Sequence, residues 1–292
     1  MINTASKALY VLLSTTVLVV VSPATFAQVT STLSCEKSGV TYSVNVSDEI
    51  PPAPTDAGYR QYSQDCQSLV DHHWKKFGME KSYWDEGRGF EDACNITLPL
   101  NRTFRALEAL KISGTPNANG MFWWAMGLFQ PPANEITYLQ GAYDNIDSAS
   151  DHIRARCVSK DFPDTSAASF DHSNEIIKSR RSYWIDLYLW QFRAGVVEAA
   201  ARLVHEAQHR WKDHNGGNNC QVPGSCDSDW NYGGANTHQV YWLWSYSVTA
   251  AQTNPFLRTQ ALDLAKLNAD TKFVTKPQIN WPASVPQLPD GW

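Results

Sequence analysis

His205-Glu206-Ala207-Gln208-His209 follows the pattern His-Glu-x-x-His. Two histidines four positions apart lie on one face of an α-helix, about 6 Å apart along its axis, so both imidazoles can reach one metal ion. Zn²⁺ is the ion this donor set suits. The intervening glutamate projects beside the metal, where it can deprotonate a bound water. The chain has eight histidines in 292 residues, and a pattern of this form is expected by accident only about 0.007 times at that density.

The helix that must carry the motif runs from Gly195 to about Trp211. Stepping about 100° per residue places Val196, Ala199, Ala200, Leu203, Val204 and Ala207 on one broad side and both histidines opposite. The apolar stripe faces inward, and His205 and His209 face a cleft or solvent. Glu198 and Arg202 share the histidine face with the spacing of a surface ion pair, and Glu198 is a further candidate acceptor behind a ligating histidine. A catalytic zinc takes three protein ligands and keeps one position open. His214 ranks first for the third ligand and Asp229 second, followed by His238 and Asp227. His214 requires the helix to end before it, and Asn215-Gly216-Gly217 directly afterwards is a good terminator. Asp213 stays on the histidine face but too far along it to ligate.

On these residues the segment resembles the zincin metallopeptidases. It departs from the metzincins, whose further Gly and His would fall on Lys212 and Asn215. Asp229-Trp230-Asn231-Tyr232-Gly233 is similar to the Asp-x-x-Tyr-Gly of the aspzincin, or deuterolysin-like, family. That resemblance implies Asp229 as third ligand and Tyr232 as a stabiliser of the transition state. Ser225-Cys226 stands where the family has Gly-Thr, and Gln239 stands where a thermolysin-like carboxylate would be wanted. His214, Cys220, Cys226-Asp227 and Tyr232-Gly233-Gly234 together are also similar to a group of exported bacterial proteins. The resemblance covers about residues 183 to 245. It implies a zinc-dependent peptidase acting on proteins or peptides, with Glu206 moving the proton.

The elements around the motif are read from periodicity. Tyr183 to Trp190 alternates as a strand. Asn236 to Ala251 reads as an aromatic helix capped by Asn236 or Thr237, and Pro255 to Asp270 as another helix. Earlier in the chain, Val40 to Val46 alternates as a strand, Pro51 to Pro54 forms a linker, and Tyr59 to Phe77 and Asn101 to Ile112 have helical spacing. Asp147 to Val158 is predicted helical and Ser159 to Asp171 a loop. Gly114 to Pro132 is a loop whose Phe122-Trp123-Trp124 plugs the core. His72-His73 has no spaced partner. The expected fold is α+β: a helix-rich, zincin-like domain with a small sheet and disulfides. It spans residues 28–292, with 28–57 a strand-containing N-terminal segment and 183–252 the metal-site core.

Residues 1–27 have the pattern of a cleaved signal peptide: Lys7, an apolar run from Ala8 to Val21, and small residues before a cut after Ala27. Fourteen apolar residues are short of the ~20 a span needs. The mature protein is therefore expected to be secreted or periplasmic, with no membrane association after cleavage. Six cysteines in an oxidising compartment suggest three disulfides. Cys220–Cys226, across a turn sequence, is the favoured pair, and the other four leave three pairings open. A net charge of −5 without a basic run argues against nucleic acid. Twelve tryptophans leave a second reading open, a noncatalytic exported protein whose aromatic surface grips a glycan or peptide.

Overall fold

The computed structural model describes residues 30–47, 66–77, 79, 94, 99–112, 152–157, 167–171, 183–221, 223–249 and 255–285. The signal sequence, the Pro51 to Pro54 linker and the Gly114 to Pro132 aromatic loop lie outside them. Strands β1 (Thr30–Lys37) and β2 (Val40–Ser47) form an antiparallel hairpin in which Lys37 pairs with Val40. Its two turn residues, Ser38 and Gly39, both have positive φ (54° and 78°), as a tight hairpin twisted to match its strands requires.

Helices α1 (Cys66–Lys76) and α2 (Pro99–Ile112) follow. They meet through a buried hydrogen bond of 2.6 Å between His73 Nε2 and Glu108 Oε1. His73 thus has a partner 35 residues away, too far in sequence for a spacing argument to find.

Two predictions fail in the next stretch. His152–Ala155 is strand β3, not part of a helix, and Ala167–Asp171 is strand β4, not loop. Both flank β5 (Tyr183–Leu187), β3 in parallel and β4 antiparallel. Ladder pairing overrides the weak local helical spacing of 147–158. In β5 Ile185, Asp186 and Leu187 are all buried, as the centre of a covered sheet demands. The predicted strand to Trp190 stops at Leu187, and Leu189–Arg193 coils into a 3₁₀ turn.

Helix α3 (Val196–Gln208) carries the motif, ending three residues short of the predicted Trp211. It packs on α2 and on α4 (Ala235–Thr249), and α4 packs in turn on α5 (Pro255–Thr271). The apolar face of α3 is buried as predicted, from Val196 to Ala207. Helix α4 is buried on all sides, including Tyr241, Trp242, Trp244 and Tyr246, so its aromatics fill the core instead of lining a surface. One hydrophobic cluster contains residues from Cys35 to Phe273.

The fold is α+β and helix-rich, with disulfides. Cys220–Cys226 is joined as favoured, and the two remaining bonds are Cys35–Cys157 and Cys66–Cys94. Cys35–Cys157 ties the hairpin to the end of β3. Among the described residues no helix is long and apolar enough to cross a membrane.

Candidate metal centre

The last turn of α3 delivers His205 and, as its C-terminal cap, His209. Beyond it the chain leaves the helix axis and is fastened sideways. Lys212 Nζ donates to the Tyr232 carbonyl at 2.6 Å, and the Tyr232 hydroxyl donates to the Asp213 carbonyl at 2.6 Å. This clamp turns the chain back and brings His214 over the motif. The three rings form a tight triangle, with centroid separations of 4.9, 5.1 and 4.6 Å. One nitrogen from each of His205, His209 and His214 lies within 4.8 Å of the others. Among the described residues this is the one such cluster able to hold a metal ion.

Nε2 of His205 and Nε2 of His209 are 3.2 Å apart. Two imidazoles at Zn–N distances of about 2.0–2.1 Å in a tetrahedral site place their nitrogens about 3.3 Å apart. The spacing therefore fits one shared ion. The outward nitrogens are each accounted for. His205 Nδ1–H donates to Gln239 Oε1 at 3.0 Å. His214 Nδ1–H donates to Asp227 Oδ1 at 2.8 Å. The ring of His209 hydrogen-bonds the Lys212 main chain, with Asp213 Oδ1 a longer 4.0 Å from its Nδ1. An acceptor on Nδ1 fixes the tautomer that leaves the Nε2 lone pair free for a metal.

Electrostatics agree. Burial, then the neighbouring His209 and His214, hold His205 well below the usual histidine range. Burial and His214 hold His209 down to about 4. Both are neutral at neutral pH, the state in which imidazole ligates. Glu206 is buried between them in sequence. Its charge works to raise the Lys272 ammonium, but burial and the nearby Arg202 prevail and hold Lys272 below its ordinary value.

The other candidates have different work. Asp229 caps the 3₁₀ turn Trp230–Tyr232: its Oδ1 accepts from the Tyr232 amide at 3.0 Å and its Oδ2 from Ser228 Oγ at 2.9 Å. It lies outside the histidine cluster. His238 is buried in α4 and bonds the Gly234 carbonyl through Nδ1 at 2.9 Å. Glu198 pairs with Arg202 as its spacing predicts, and Arg202 also reaches Gln191 Oε1 at 3.2 Å. The side chain of Asp213 is almost fully exposed.

Asp227 is the residue whose part the sequence misassigns. It is fully buried. Besides His214, it accepts the first-turn amides of α4, Asn236 at 3.0 Å and Thr237 at 3.3 Å, through Oδ2. The predicted cap of that helix, Asn236 or Thr237, is thus replaced by a carboxylate from a preceding loop. Gly234 makes room for it: a Cβ there would stand 2.7 Å from the carboxylate. The loop is pinned from below, where Asp227 N donates to Lys272 O at 3.2 Å and Val274 N to Asp227 O at 3.0 Å. Asn236 Nδ2 adds bonds to Ser225 O (3.0 Å) and Lys272 O (3.2 Å). The histidines that sequence geometry turned toward a cleft or solvent are therefore half-covered by this loop and by α4.

No protein-family model, curated protein or solved structure matches this chain.

Proposed function

We propose that the protein is an exported zinc metallopeptidase of zincin type, hydrolysing peptide bonds in proteins or peptides. The observation that carries the reading is the convergence of His214 on the His205/His209 pair in a chain whose motif supplies Glu206. Three histidine nitrogens, with the outer nitrogens of His205 and His214 held by Gln239 and Asp227, suit Zn²⁺ and leave one position for solvent or substrate. Three disulfides, all bonded, support an oxidising destination.

In this reading His205, His209 and His214 hold the ion, which when bound polarises the scissile carbonyl and acidifies water. Glu206 takes a proton from the attacking water and passes it to the leaving amine. Tyr232 turns its hydroxyl from the Asp213 carbonyl to the developing oxyanion. The described aromatics of α4 are core residues, so that helix offers no aromatic surface for a binding protein.

The test is Glu206→Gln assayed on denatured casein and a mixed peptide library beside wild type. Loss of turnover on the order of 10²-fold or more, with zinc content unchanged, is expected of a general base. A wild type that binds zinc yet cleaves nothing, or a mutant as active as wild type, overturns the peptidase reading.

A further inference from the structure

Helix α4 touches the candidate metal centre twice, at two different rings. Its first turn binds the Asp227 carboxylate that accepts from His214, and one turn later Gln239 accepts from His205. Asp227 is fully buried and Gln239 nearly so. Neither contact is made to the inward nitrogens. Asp227, which can only accept, selects the Nδ1–H tautomer of His214, Gln239 as placed accepts from His205 Nδ1–H, and a metal at Nε2 selects the same tautomer. The two choices therefore reinforce one another. A metal-free His214 that carried its hydrogen on Nε2 would lose the bond to Asp227, whereas the Gln239 amide can turn and donate to His205 Nδ1 instead.

We propose that Asp227 and Gln239 are positioning residues that couple metal binding to the docking of α4, so that the bound ion braces α3 against α4. This inference rests on the metal-centre reading above. Asp227 is the stronger link. Its carboxylate holds the orientation of the His214 ring at 2.8 Å, and the same carboxylate neutralises the positive end of α4. Gln239, a neutral amide, orients His205 without adding charge. The coupling is reciprocal: whatever factor the docked first turn of α4 adds to metal affinity, bound metal adds to the docking of that turn.

The experiment is amide hydrogen exchange at Asn236 and Thr237, in apo and zinc-loaded protein, together with zinc affinity by chelator competition. Removing a partner of this kind weakens metal binding about 10–100-fold. Asp227→Asn is expected to weaken zinc by that factor. In wild type, zinc is expected to slow exchange at the two amides by a comparable factor, and Asp227→Asn to lose the slowing. A merely structural Asp227 lowers stability alike with and without zinc and leaves the wild-type exchange independent of metal. Gln239→Met leaves the α4 cap intact, so it serves if Asp227→Asn fails to fold; it is expected to weaken zinc about tenfold. Zinc affinity within twofold of wild type in either folded variant, or exchange at Asn236 and Thr237 unmoved by zinc, overturns the coupling. A wild type that takes up no zinc overturns the metal reading itself, a result distinct from these.

Discussion

Asp227 Oδ1 accepts the Nδ1–H of His214 at 2.8 Å, and the two residues stand thirteen positions apart on opposite arms of one loop. That bond sets the position of the third histidine of the cluster. The loop is closed by Cys220–Cys226 and by the Gly216 amide donating to the Cys226 carbonyl at 2.7 Å. His214 and Asp227 thus stand side by side at the base of this doubly closed loop, joined by their own bond.

Gly234→Ala tests the space that Asp227 needs. The new methyl would stand 2.7 Å from the carboxylate, so the carboxylate must move off His214 or off the α4 amides. Overpacking of this kind costs about 1–3 kcal/mol. Thermal melts in chelator are expected to show that loss, and chelator competition is expected to show zinc weakened about tenfold or more. Unchanged affinity would mean that Asp227 does not set the His214 position.

Opening the Cys220–Cys226 ring is expected to loosen the ligand loop. For so short a ring the chain-entropy contribution is about 2 kcal/mol. Cys220→Ala with Cys226→Ala is expected to lower stability by about that amount. A loosened loop holds His214 less well and binds zinc more weakly, so the zinc-induced rise in Tm is expected to be smaller than in wild type. An equal rise in both proteins would separate the disulfide from the metal loop.

The local part of this site was legible and the distant part was not. His205 and His209 follow from helical spacing alone, and the return of His214 from the helix stop after it. From sequence alone Asp227 can only be a candidate ligand, because its partners, His214 and the first amides of α4, are joined to it only by folding. The α4 cap was misplaced for the same reason: Asn236 and Thr237 are good capping types, but a buried carboxylate outcompetes them. Gln239 lies 34 residues from His205, and no periodicity links them. Strands β3 and β4 were missed because their pairing with β5, not their own sequence, determines them. Strand β2, α3, α4 and α5 are legible because their apolar patterns are strong within a single segment, whereas β1 is found only through its pairing with β2.

Tyr232 donates its hydroxyl to the Asp213 carbonyl, and burial, with Asp227 and Asp213 nearby, raises its pKa above the usual tyrosine value, keeping it a proton donor. Tyr232→Phe is expected to lower kcat at saturating zinc on the order of 10²-fold, the cost of losing one oxyanion donor, with any loss of the Asp213 clamp read separately as a fall in zinc affinity. An unchanged kcat would confine Tyr232 to clamping the chain after α3.

Acid should destabilise the metal-free protein over a defined window. Burial holds His238 and His209 at about 4, against about 6.5 in the unfolded chain. Between those values the unfolded chain binds more protons, so stability falls as pH drops from about 6.5 to about 4 and this contribution is level outside that range. From pH 7 to 5, His238 alone accounts for about 2 kcal/mol. Urea unfolding in chelator is expected to show the decline, and His238→Gln to flatten it. A slope untouched by His238→Gln would place the acid sensitivity elsewhere.

The most direct test of the metal centre is elemental analysis of the mature protein, folded under oxidising conditions, beside His205→Ala and His214→Ala. The account predicts about one zinc per chain in wild type and its loss in both variants. A folded wild type that holds no zinc after incubation with it, or a His214→Ala variant that keeps full occupancy, would contradict the three-histidine centre.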